Sequence, residues 1–137
     1  MCSSRHVFAR ALGLSLCLTS LSLPAFADRG ATAQLPDAAQ IAAAASPEFL
    51  HALVMANITS TNCPGHALSD DEWALITGTA DRVAAALNID NRSFNDNYYS
   101  PAFAALDQAG TCDSEGAKIA PLIKRLRKMG GSADPIG

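Results

Sequence analysis

Few side chains in this 137-residue sequence carry the chemistry needed for catalysis or metal binding. Beyond residue 27 they reduce to His51 and His66, Cys63 and Cys112, and the acidic run Asp70-Asp71-Glu72. A histidine-based nucleophilic site needs a nucleophile, a base and an orienting acid, and no local motif such as G-x-S-x-G supplies one. Cys63-Pro64-Gly65-His66 offers two ligands where structural zinc takes four, and neither cysteine sits in a C-x-x-C. Asp70, Asp71 and Glu72 follow Ser69, so a capping box and the helix dipole account for them without acid–base chemistry. The Asn/Asp-rich stretch 88–99 holds only Asp90 and Asp96 as carboxylates and lacks the EF-hand order. The expectation is therefore a non-enzymatic protein with no metal and no cofactor. The alternative is a small-ligand or metal carrier, or a small enzyme, using His51 or His66.

The remaining chemistry is redox, and it depends on compartment. Met1 to Arg10 carries Arg5 and Arg10 and no acid, Ala11 to Leu23 is apolar, and Ala25-Phe26-Ala27 ends small-x-small. This is the pattern of a secretory signal peptide, residues 1–27, with cleavage after Ala27. These thirteen residues, apolar but for small or hydroxyl side chains, reach only about 20 Å as a helix, short of a bilayer core, so no transmembrane anchor is expected. Removal of the segment leaves 110 residues in which 8 cations face 13 acids, a formal charge of −5. No cationic excess remains to neutralise a phosphate backbone, which argues against nucleic acid. Cys2 and Cys17 leave with the segment. In an oxidising compartment, periplasm if the source is bacterial, Cys63 and Cys112 are expected to form one disulfide.

The elements that position these residues are helical. Residues 28–35 lack a period and are expected to be a flexible N-terminal arm. Ala38 to Ala45 has high helix propensity but a methyl-only face. Ser46-Pro47-Glu48 opens a second helix, with Phe49, Leu50, Leu53, Val54 and Ile58 on one face. A loop is expected from Thr59 to Leu68 around Cys63-Pro64-Gly65. A third helix over 69–88 places Trp73, Ile76, Ala80, Val83, Ala84 and Leu87 on its apolar side. Asn88 to Tyr99 reads as a loop, Ser100-Pro101 as a new helix start running to Ala109, and Asp113 or Ser114 as the cap of a last helix. That helix carries Ile119, Leu122, Ile123, Leu126 and Met129, contains Pro121, and closes at Gly130-Gly131. No stretch alternates with period two. The fold expected is all-α: a small single-domain helical bundle of four to five helices over residues 36–131, tied by one disulfide, with a flexible tail at 132–137.

Two surfaces remain. Phe94, Tyr98, Tyr99 and Phe103 stand in or beside the polar stretch, either capping the core or forming a partner-binding surface, since loop aromatics suit recognition. Lys124, Arg125, Arg127 and Lys128 give the last helix a basic end that complements its dipole. Asn57-Ile58-Thr59 and Asn91-Arg92-Ser93 match the N-glycosylation pattern. In Cys63, Cys112 and the basic final helix alone, the layout resembles the bacterial periplasmic acid-stress chaperones, and it departs from them in the Pro64-Gly65 turn and the long helical region before it. The partner expected is another exported protein, bound in chaperone-like or inhibitor/immunity fashion.

Overall fold

Capping residues set the helix boundaries in the computed structural model, which describes residues 33–134. The helices are α1 (Ala38–Ala44), α2 (Pro47–Asn62), α3 (Asp70–Ala86), α4 (Asn91–Phe94), α5 (Ser100–Leu106) and α6 (Thr111–Lys128). A π-helical turn, Asn95–Tyr99, joins α4 to α5 without a break, so the described residues form five continuous helical stretches and no strand. The fold is a small all-α bundle with the Cys63–Cys112 disulfide in place. The expected signal peptide, residues 1–27, lies outside the described residues.

The caps follow from local chemistry. Phe49 N–H donates to the Ser46 hydroxyl at 3.1 Å, and Pro47, with no N–H to satisfy, takes the first helical position. Glu72 N–H donates to Ser69 Oγ at 3.2 Å while Ser69 N–H donates to the Glu72 carboxylate at 3.3 Å, the two halves of a capping box. At the end of α6, Gly130 takes φ +95°, and the Gly131 and Gly130 amides donate to the Leu126 and Arg127 carbonyls. This is a Schellman closure, which needs glycine in the left-handed region.

Every residue from Leu53 to Ser60 is buried, so this stretch of α2 is enclosed on all sides while both its ends meet solvent. It packs most extensively against α3 and α6. The disulfide joins the C-terminal end of α2 to the first turn of α6, whereas Arg125 stacks on Phe49 at the opposite end. The two helices therefore run antiparallel. Leu50, Leu53 and Val54 meet Leu75, Ile76 and Val83 of α3 and Leu126 of α6 in one cluster. From α1 only Ile41 is buried, because a methyl-only face has little else to contribute.

Several expectations need correction. The chain from Thr59 to Asn62 is the last turn of α2, and the loop starts at Cys63. Residues 91–106 are helical, not a loop followed by a new start. Asn88, at φ +55°, ends α3, and Asp90 caps α4 through the Ser93 N–H at 2.8 Å. The asparagines beyond face solvent. Ser100 makes no capping bond, and the wide π turn before Pro101 relieves the clash its ring would make with a preceding carbonyl. Gly110, not Asp113 or Ser114, is the N-cap of α6, so Cys112 lies inside the helix. Pro121 also lies inside α6, on its exposed face.

Backbone hydrogen bonds join the residues on either side of positions 36 and 131. Gln34 and Ser132 exchange both backbone hydrogen bonds at 2.8 Å, and Asp37 N–H donates to the Met129 carbonyl at 3.0 Å. Ala133 is buried and Leu35 packs on the core. The two ends of the described chain are thus stitched side by side.

Candidate functional site

The most organised polar contact on the surface links three helical stretches through Asn57. Trp73 Nε1–H donates to Asn57 Oδ1 at 2.8 Å, and Asn57 Nδ2–H donates to the Tyr99 hydroxyl at 3.2 Å. Asn57 itself is only 9% exposed, and its amide spends both functions on two aromatic side chains, one from α3 and one from the π turn. An indole held this way keeps one orientation without being buried: Trp73 is 44% exposed. Phe103 follows Tyr99 by four residues, one helical turn onward on the same side, and is 50% exposed. These are the two exposed large hydrophobic side chains among the described residues.

The aromatic set expected from sequence is therefore divided. Phe94, Tyr98 and Tyr99 are half-buried against the core, with Phe94 edge-on to Tyr98 at 6.0 Å and to Tyr99 at 5.1 Å. Phe103 alone of the four is exposed. Trp73, expected on the apolar face of α3, stands instead at the edge of that face and joins Phe103 at the surface. The signal that identifies it is chemical: a tryptophan directly after three carboxylates sits in a wet first turn. The Asn57-Ile58-Thr59 match has its asparagine buried and hydrogen-bonded, whereas Asn91 of the second match is exposed.

The two histidines are not brought into one site. His51 is exposed and lines two clefts, a small one of about 120 Å³ with Glu115, Lys118 and Leu122, and a wide-open one of about 470 Å³ with Glu48, Asn97 and Tyr98. His66 lines none of these clefts; its ring covers Gly116 of α6, one turn beyond Cys112. Glu115 is engaged by Lys118 at 2.6 Å. Among the described residues no three His, Cys, Asp or Glu side chains gather in a metal-binding arrangement. Asp90 and Asp96 of the asparagine-rich stretch are occupied by the α4 cap and by Arg92 at 3.6 Å.

Cys63 and Cys112 are bonded with their Cα atoms 5.6 Å apart. Cys63 is buried and Cys112 half-buried. Of the basic end of α6, Arg125 lies 4.0 Å over the Phe49 ring and Arg127 reaches Asp134 at 3.7 Å, while Lys124 and Lys128 point to solvent. Among the described residues no single helix is long and apolar enough to cross a membrane. Comparison with known proteins adds no relative to this geometry: no family model, curated protein or solved structure matches the chain.

Proposed function

We propose that this chain is an exported protein, cut after Ala27, that acts by binding another protein through the surface carrying Trp73, Tyr99 and Phe103. The observation that supports this reading is the Trp73–Asn57–Tyr99 hydrogen-bonded linkage, which fixes a half-exposed indole at the surface. Rigid, partly exposed tryptophan and tyrosine are the residue types that carry binding energy at interfaces, because their large area is ordered before the partner arrives. The surroundings are acidic. Asp70 lies one turn before Trp73 and Asp107 one turn after Phe103, whereas Glu72 faces a cleft with Lys124 and Arg127. With a formal charge of −5 after cleavage, the surface suits a partner with a basic rim, an inhibitor-like arrangement in which charge steers association.

The test has two parts. The protein recovered from the exporting cell should begin at Asp28. A partner captured from that compartment and purified should bind the oxidised protein, with about thirtyfold or greater weakening in the Trp73→Ala, Phe103→Ala double variant. Added salt should slow association. An uncleaved chain retained inside the cell, or a partner held equally well by the double variant, overturns the proposal.

A further inference from the structure

A cavity of about 310 Å³ opens between α1 and α3. Its floor is Pro36 and Ile41, both buried, and its walls include the exposed alanines Ala42 and Ala85. The cavity exists because α1 is built of alanine: methyl groups cannot fill the space between two helices. One wall is fixed from outside, since Leu35 lies where a Cβ on Gly78 would be, which seats the segment before α1 against α3.

Among the described residues, Arg82 is the single charged one lining this cavity. It is exposed, and no described carboxylate lies within ion-pairing distance of it. Of the other described cations, Arg92 pairs with Asp96, Lys118 with Glu115, Arg127 with Asp134 and Arg125 with the Phe49 ring, whereas Lys124 and Lys128 are exposed. Arg82 also follows Trp73 by nine residues, about 180° around α3, so this cavity is separate from the aromatic surface.

We propose that the cavity binds a free medium-chain fatty acid, its acyl chain laid along the alanine walls and its carboxylate on the Arg82 guanidinium. An apolar lining with one cation at its edge complements a molecule with one anionic head and an apolar tail. A sugar or nucleotide would leave hydroxyl groups unpaired against methyl groups. The planar guanidinium matches a carboxylate with two parallel hydrogen bonds.

Calorimetry of hexanoate, octanoate and decanoate with the oxidised full chain tests the assignment. Affinity should rise about fourfold for each added methylene until the cavity is full. Arg82→Gln should weaken decanoate by about tenfold or more while leaving decanol and methyl decanoate unchanged. Ala42→Phe, a change at an exposed position, should abolish binding of all three with the helical circular dichroism intact. Absence of saturable decanoate binding, affinity independent of chain length, or equal decanoate affinity in Arg82→Gln overturns the proposal. So does a dimer dispersed by Ala42→Phe, which would assign the cavity to a second copy of the chain.

Discussion

The His66 imidazole lies in the space that a Cβ at Gly116 would occupy. Glycine within a helix ordinarily costs about 1 kcal/mol relative to alanine, so Gly116 needs a reason, and His66 supplies it. The ring is the far end of a flexible side chain, so an added methyl group would displace it rather than break α6. Gly116→Ala should therefore yield little or no stability in the native background, and about 1 kcal/mol in a His66→Ala background. A double-mutant cycle in urea reads the coupling. Equal gains in both backgrounds would remove the proposed contact.

The Cys63–Cys112 bond closes a separation of 49 residues, and it fastens the end of the antiparallel α2/α6 pair opposite the Phe49–Arg125 stack. In the loop-entropy model a loop of this length restricts the unfolded chain by about 4 kcal/mol. Small domains have total stabilities of only about 5–15 kcal/mol, so Cys63→Ala, Cys112→Ala should shift the guanidinium midpoint far down and leave the protein marginal. A loss below about 1 kcal/mol would mean that the unfolded chain already holds α2 near α6.

What sequence makes legible here is what local hydrogen bonds write. Ser46, Ser69 and Gly130 each mark a helix end because the residue that stops the helix is also the one that makes the terminal bond. The same logic misleads over residues 88–99. Asparagine and aspartate favour turns, but here Asn88 and Asp90 use up that preference in two residues, and those after them simply face water. The spacing of Phe94, Tyr98 and Tyr99, four and five apart, brackets one turn of the π-helix that this polar stretch forms, which the ordinary 3.6-residue period does not reveal. Periodicity also places Trp73 near a face without saying whether a neighbour covers it. His66 on Gly116, Gln34 on Ser132 and Leu35 on Gly78 join positions far apart in the chain, and no local pattern encodes them.

Asp90 gives α4 an acid-sensitive cap. The Ser93 backbone N–H, and after it the Ser93 hydroxyl, bind its carboxylate and hold its pKa below the ordinary value of 3.8. Because the folded value is the lower one, the cap contributes fully above the unfolded pKa and is lost as pH falls through the folded pKa. The protection of the Ser93 amide, its exchange measured against the intrinsic rate at each pH, should therefore fall on acidification from about pH 5 to about pH 2. Asp90→Asn retains a capping oxygen, so its Ser93 amide should lack that step.

Thr59 is fully buried in α2, yet its hydroxyl has no partner among the described residues, whereas the equally buried Thr79 donates to the Leu75 carbonyl at 2.6 Å. An unmade buried hydrogen bond carries its desolvation cost with nothing returned, and valine has nearly the same shape without the hydroxyl. Thr59→Val should therefore raise stability by about 1 kcal/mol, seen as a higher urea midpoint with an unchanged slope. Thr79→Val breaks a made bond and should give a smaller gain or a loss. If the two substitutions cost the same, the Thr59 hydroxyl has a partner, such as an enclosed water, and the helix owes part of its placement to it.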